Sequence, residues 1–148
     1  MSIYLRKATL EDAEIILKWR NDSLTREYSF SKEVIDTESH FKWFKKRNSD
    51  RNCYIWILIA DEERVGQIRV EAIDHVGEIH YVIAPEQRGK GYGKRILSLV
   101  EEKVSAEIKE LCGIVKAENI ASRRCFLTNG YEEMREDENI VFRKKLPL

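Results

Sequence analysis

Proline is almost missing from this chain, two residues in 148, and glycine and cysteine are scarce, at seven and three. So little proline and glycine excludes collagen-like and low-complexity architectures. The cysteines, Cys53, Cys112 and Cys125, are odd in number and form no CxxC spacing, which argues against a disulfide framework. His40, His75 and His80 are not spaced with them as zinc ligands are, so no metal is expected. Cys53 and Cys112 open apolar, strand-like runs, and the thiols read as free and buried.

No apolar run approaches the 18 or so residues of a membrane span, and Met1–Lys7 lacks a signal-peptide core, so a soluble cytoplasmic protein is expected. An excess of either charge is also missing. Twenty-six basic residues balance twenty-six acidic ones, so no overall field draws the protein to nucleic acid or membrane. What is present, 43% hydrophobic and 35% charged residues, suits one globular domain over residues 1–148. A chain of that length buries roughly 68–70% of the surface its unfolded state exposes.

Ile3–Ala8 alternates as a first strand. Thr9, with Asp12 three residues on, is a plausible cap for a helix whose stripe is Ile15, Ile16 and Trp19, ending at Asn21-Asp22-Ser23. A second helix is expected from about Val34 to Arg47, started near Asp36 or Thr37, with Phe41 and Phe44 facing inward. After the turn cluster 48–52, Cys53–Ala60 reads as a buried strand. Asp61–Arg64 reads as a hairpin loop and Val65–Ile73 as the returning strand. His75-Val76-Gly77 is expected to turn the chain before a strand over 78–84. A helix from about Gly91 to Glu107 carries Ile96, Leu97, Val100 and Val104 on one face. A strand over 111–117, a helix over 119–127 stopped by Asn129-Gly130, and a pair over 131–134 and 140–144 complete the order β-α-α-β-β-β-α-β-α-β-β. That order describes a mixed α+β domain.

Between the strand at 78–84 and the helix near 91 lies Gln87-Arg88-Gly89-Lys90-Gly91-Tyr92-Gly93-Lys94. Glycine lets backbone N–H groups converge without a Cβ in the way, and a helix N-terminus adds partial positive charge. Arg88, Lys90 and Lys94 add full charges, so the turn suits a phosphate or diphosphate. The segment fits the general pattern Gln/Arg-x-x-Gly-x-Gly/Ala, which alone would arise by chance in roughly one such chain in seven, given ordinary glycine usage. Its place between strand and helix gives it weight. It is neither a P-loop nor a dinucleotide fingerprint. A nucleotide-binding module with another phosphate ligand stays open.

Together with Asn119-x-Ala121-Ser122-x-x-x-Phe126-x-x-x-Gly130-Tyr131, and with the preceding Tyr81–Glu86, this turn resembles the GNAT superfamily of acetyl-coenzyme A-dependent N-acetyltransferases. The resemblance spans nearly the whole chain. It implies a three-layer fold with a central, mixed, twisted sheet of six or seven strands and about four helices. The strands at 78–84 and 111–117 would run parallel and splay apart. Backbone at Val82 and Ala84 would hold the pantetheine arm of acetyl-coenzyme A. The N–H groups of 88–93, flanked by Gln87 and Lys94, would hold its diphosphate. Asn119 would contact its pantetheine region, Phe126 would pack near its thiol end, and Ser122 would be a further cofactor contact.

An alkyl ammonium has a pKa of roughly 10, so amide formation needs a base. Glu78 and His80, alternating on one strand face, are the candidates, with Glu71 weaker. A backbone N–H near Val82 would stabilise the oxyanion, a kind of donor worth about 2.7–4 kcal/mol. Relatives often carry a Tyr acid in the last helix, but Phe126 stands there. Tyr131, a water, or no dedicated acid would serve instead. Cys125 reads as a helix thiol rather than an acetyl carrier. For the acceptor, Arg20, Asn21 and His40 are placed to grip a phosphate or carboxylate. Trp19-Arg20-Asn21 paired with His40-x-x-x-Phe44 resembles a subgroup acting on nucleotide-linked amino sugars, which implies Arg20 and His40 near the nucleotide, and also resembles enzymes of protein N-termini. The bland alternative puts Trp19 and Phe44 in the core and Arg20 and His40 on the surface. A non-catalytic acyl-coenzyme A-binding domain stays open, and a monomer or homodimer is expected.

Overall fold

The apolar run at 53–60 becomes β2 (Cys53–Ala60), buried at seven of its eight positions because strands cover it on both edges and helices on both faces. The computed structural model describes residues 2–147. Around β2 lie β1 (Ile3–Lys7), α1 (Ala13–Arg20), α2 (Ser23–Glu27), α3 (Thr37–Asn48), β3 (Glu63–Ile73) and β4 (Val76–Ile83). There follow α4 (Tyr92–Lys103), β5 (Glu110–Lys116), α5 (Ile120–Thr128), β6 (Glu132–Glu136) and β7 (Asn139–Lys145). The seven strands form one sheet in the order β1-β2-β3-β4-β5-β7-β6. The expected mixed α+β class holds, with five α-helices among the described residues where about four were expected.

The sheet separates two cores. On one face Ile16 and Trp19 of α1 and Phe44 of α3 pack on Ile55, Ile57 and Ile59. On the other, Ile96, Leu97 and Val100 of α4 and Phe126 of α5 meet Leu58, Ile68, Val70, Leu111 and Phe142. Each such buried side chain contributes roughly 1.5–3 kcal/mol. These layers hold the central pair in place. β4 and β5 are the one parallel pair among the described residues, and they match only at Val76–Glu110, Gly77–Leu111 and Glu78–Cys112. Beyond Glu78 the two strands part, and β4's edge opens.

Several boundaries differ from the sequence reading. The β2–β3 turn is only Asp61-Glu62, both left-handed (φ 48° and 71°), so β3 begins at Glu63. The β3–β4 turn is Asp74-His75 (φ 47° and 69°), and Val76 and Gly77 already belong to β4. Two consecutive left-handed residues make the tight hairpin whose usual signal is Asn-Gly or Asp-Gly, and neither turn carries a glycine. α2 was not expected. Its N-cap is Asp22, whose carboxylate accepts from Thr25 N–H, so the residues read as a helix end also begin another helix. α3 begins at Thr37, not Val34, because Asp36 accepts from the Glu38 and Ser39 N–H groups and fixes the start. Phe41, expected inward, is 39% exposed, and its neighbour His40 takes the buried position.

Candidate functional site

The turn from β4 into α4 runs through a short 3₁₀ segment, Pro85–Gln87, to Gly89 and Gly91, both left-handed (φ 78° and 85°). Gly91 is the N-cap of α4 and offers no side-chain oxygen, so the first N–H groups of the helix lack the partner a Ser or Asp would supply. A Cβ at Gly89 or Gly91 would meet nothing within 4 Å, so the space over the turn is open. Gly93 has a different reason: a Cβ there would lie 2.9 Å from Cys125 Sγ and 3.6 Å from the Tyr81 ring. It is glycine so that α4 can approach α5. Lys90 reaches Gln87 Oε1 at 3.0 Å, and Lys94 is exposed. Arg88 is engaged elsewhere: its guanidinium donates to Asp22 Oδ2 at 2.5 Å and Thr25 Oγ1 at 3.0 Å, and this bond holds the Asp22 carboxyl below its usual range.

Two of the expected backbone contacts fall on the wrong edge. The Ala84 N–H donates to Val65 O at 2.9 Å and its carbonyl accepts from Gln87 N–H at 2.9 Å, so neither faces the opening. Antiparallel ladders alternate. With Val65 opposite Ala84, Val82 opposite Gln67 also points at β3, and the free edge past Glu78 belongs to Ile79, Tyr81 and Ile83. The shift is one residue, and only the register reveals it. Asn119 caps α5 by accepting from Ser122 N–H at 3.3 Å. Ser122 Oγ lies 2.8 Å from the Tyr81 hydroxyl. Phe126 is buried, its ring against Gly113 of β5 and edge-on to Tyr81 at 6.0 Å.

Tyr131 is placed in the core. Its hydroxyl is buried without a hydrogen-bond partner, and burial pushes the phenol's pKa up. Its ring meets Phe126 edge-on at 5.0 Å. Of the three free thiols only Cys53 is fully buried. Cys112, on the less covered face of β5, and Cys125 are half-buried. Burial raises Cys53 to about 11. Burial also raises Cys125, against the opposing pull of the Tyr81 hydrogen bond and Lys94.

On the opposite face of the sheet, β3 and β4 bring four charged or polar side chains into register, Arg69 opposite His80 and Glu71 opposite Glu78. His80 Nε2 lies 3.2 Å from Glu78 Oε1. Burial, with Arg69, Arg20 and Arg47 adding to it and Glu71 opposing, lowers His80 to about 4. The ring is therefore neutral near pH 7, and its Nε2–H donates to Glu78. Glu71 Oε1 sits 3.0 Å from Arg69 Nε and 3.7 Å from Arg47.

α1 and α3 close this face. His40 is 1% exposed, not on the surface. Its Nε2 lies 2.7 Å from Ala13 O, which can only accept, and its Nδ1 lies 3.2 Å from Arg20, which can only donate. The ring is therefore the neutral Nε2–H tautomer, and burial, with Arg20, lowers its pKa accordingly. Arg20 lies over Trp43 at 4.3 Å from the ring centroid, and Arg69 lies over the same ring at 4.8 Å. Burial and then Arg69 lower Arg20 to about 10. Asn21 is occupied structurally: its amide donates to Ile35 O (2.9 Å) and accepts from Ile35 N–H (2.7 Å). Arg47, Arg69 and Trp43 escaped the sequence reading, since each signals only a solvated or core position until the fold brings Trp43 and Arg69 to Arg20 and Arg47 to Glu71. Among the described residues, no group of three or more His, Cys, Asp or Glu is placed to hold a metal ion.

The sequence model of the family described as "Acetyltransferase (GNAT) domain" matches residues 2–132. Among curated proteins the chain is similar to the uncharacterized N-acetyltransferase YfmK of Bacillus subtilis (strain 168). The two are 24% identical over 131 residues, 86% of this chain and 85% of that protein. Among solved structures, a domain from Methanocaldococcus jannaschii DSM 2661 superposes with a TM-score of 0.86 at 23% identity, over 98% of this chain and 99% of that one. Spermidine N-acetyltransferase from Vibrio cholerae, in complex with CoA and spermine, gives 0.84 at 17%, over 97% and 95%. At such identities the two structures share the mixed α+β GNAT fold with this chain.

Proposed function

This chain belongs to the GNAT acetyltransferase family and is an acyltransferase, and from that premise we propose that it moves an acetyl group from acetyl-coenzyme A to a primary amine by direct attack in a ternary complex. The observation that carries the reading is the uncapped, glycine-lined start of α4 beside the parting of β4 and β5. The diphosphate sits on the N–H groups of 89–93, with Lys90 and Lys94 nearby. The pantetheine arm follows the free edge of β4, and the N–H of Tyr81 or Ile83 meets the thioester oxygen.

The amine approaches from the α1/α3 face. Glu78, held by the neutral His80 ring, takes its proton directly or through a water. Arg20, Arg47 and Arg69 outnumber Glu71 and Glu78 by one charge around this face, which disfavours an ammonium and supports the neutral, nucleophilic amine. The same excess favours an acceptor that also carries an acidic group. A nucleotide-linked amino sugar fits that description. Arg20 is the contact for its phosphate, and His40 and Asn21 hold Arg20 and the following loop in place.

Incubation with acetyl-coenzyme A and two sets of amines, one bearing carboxylates or phosphates and one of polyamines, tests this by thiol release. Turnover is expected with the acidic set. Preference for polyamines would overturn the acceptor reading, and no measurable binding of coenzyme A would overturn the whole. The lack of a hydroxyl at Phe126 favours one other reading, a binding domain without catalysis. Tight binding with no turnover on any amine would identify it.

A further inference from the structure

When the tetrahedral intermediate collapses, the C–S bond breaks and its electron pair goes to sulfur. A free thiol has a pKa of roughly 8.5. A departing thiolate at neutral pH is therefore helped by a hydrogen-bond donor waiting where the sulfur emerges. Phe126 has no donor, and the Tyr131 hydroxyl is enclosed in the core.

Tyr81 is different on two counts. Its backbone lies on the free edge of β4, three residues past the last pair with β5. Its side chain passes to the α4/α5 side, where the first turns of both helices roof the opening. There the hydroxyl lies 2.8 Å from Ser122 Oγ and 3.8 Å from where a Cβ on Gly93 would stand. Tyr81, Ser122 and Cys125 are all half-buried, so none of the three is sealed off from solvent. Burial, with Cys125 adding to it, raises the phenol's pKa, so the O–H stays protonated and remains a donor.

We infer that the Tyr81 hydroxyl donates a hydrogen bond to the sulfur of coenzyme A as it leaves, with Ser122 as its positioning partner. At rest the Tyr81 hydroxyl also hydrogen-bonds the Cys125 thiol, and either hydroxyl can donate within the Tyr81–Ser122 pair. When sulfur is present, Ser122 Oγ–H donates to Tyr81 Oη, and the Tyr81 hydrogen turns to the sulfur. The α5 cap, Asn119 Oδ1 on Ser122 N–H, holds the serine where this exchange works. Tyr81 keeps its proton throughout. The thiolate takes its own from water, and the proton lost by the amine leaves through Glu78, so the step is balanced. The inference rests on the acetyl-coenzyme A reading above, and it places a catalytic hydroxyl on β4 rather than on the last helix.

The test titrates the thiol of bound coenzyme A by its thiolate absorbance in the ultraviolet, for the wild type, Tyr81→Phe and Ser122→Ala. It needs no knowledge of the acceptor. The bound thiol of the wild type is expected to ionise below the free thiol. In Tyr81→Phe it should rise by about one pH unit, a tenfold loss of thiolate at a given pH, while the Kd of acetyl-coenzyme A stays within about twofold. A purely structural role would move Kd and leave the thiol unchanged. Ser122→Ala, which keeps the tyrosine, should shift the thiol in the same direction by a smaller amount. Equal thiol pKa values in wild type and Tyr81→Phe, or no shift in Ser122→Ala, would overturn the inference while leaving the cofactor reading intact. Failure of the wild type to bind coenzyme A would instead overturn that reading, and this inference with it.

Discussion

Asp12 illustrates how much one buried carboxylate can decide. It is 1% exposed and accepts from Arg6 twice (2.8 and 2.9 Å), from Arg64 (3.2 Å) and from Thr9 N–H (2.8 Å). Burial alone would raise its pKa, but the Arg6, Thr9 and Arg64 hydrogen bonds win and hold it at about 2 against an ordinary 3.8. A folded-state pKa below the unfolded one contributes stability that is complete above the unfolded value and is lost as pH falls toward the folded one. That contribution is about 2 kcal/mol. Asp12→Asn is therefore expected to lose about 2 kcal/mol in urea denaturation at pH 7. The wild type should lose the same amount between about pH 4 and 2, while the variant stays nearly flat there. Parallel curves for the two proteins in that window would refute the assignment. The capping role of Asp12 was legible, because Thr9 and Asp12 stand three apart. Its bonds to Arg6 and Arg64 were not, since Arg64 is 52 residues away and only the sheet brings it near.

Elements, too, were legible according to how local their causes are. β2 came from an unbroken apolar run, α4 from apolar residues at helical spacing, and the turn before α4 from its glycines. α2 was invisible because its five residues bury nothing and leave no apolar stripe. At the face proposed for the acceptor the pattern marked Arg20 and His40 but not their relation. A buried histidine that positions an arginine and one that touches a ligand look alike in sequence, and the tautomer fixed by Ala13 O distinguishes them. The sharpest test at this scale is the α4 turn. Gly91 is left-handed in open space, so Gly91→Val meets no steric wall and costs about 1–2 kcal/mol of backbone strain. Its branched side chain would cover the N–H groups proposed to receive the diphosphate. The variant should remain folded by circular dichroism, yet lose coenzyme A binding in calorimetry. Retained affinity would mean the diphosphate lies elsewhere.

For the molecule as a whole, the parting of β4 and β5 is bridged by a strap. α2 reaches the end of β4 through Asp22 and Arg88, and the end of β5 through Lys116 Nζ, which donates to Glu27 O at 3.3 Å. Arg88 belongs to the turn that should receive the diphosphate, yet in this structure its charge is directed at Asp22. With the diphosphate placed as proposed, cofactor and strap would compete for one guanidinium. A partly exposed ion pair of this kind contributes roughly 0.2–1 kcal/mol, which limits the competition to about fivefold in affinity. Asp22→Asn removes the charge and keeps a good N-cap for α2. It is expected to tighten coenzyme A binding by about two- to fivefold at low salt, with the gain shrinking as salt screens the pair. In the wild type, hydrogen exchange over residues 22–30 should speed up when the cofactor binds, because Arg88 has left Asp22. Weaker binding by Asp22→Asn, with exchange slowed by cofactor, would mean the reverse: Asp22 holds Arg88 in its bound position, and the strap and the turn are built to receive the diphosphate together.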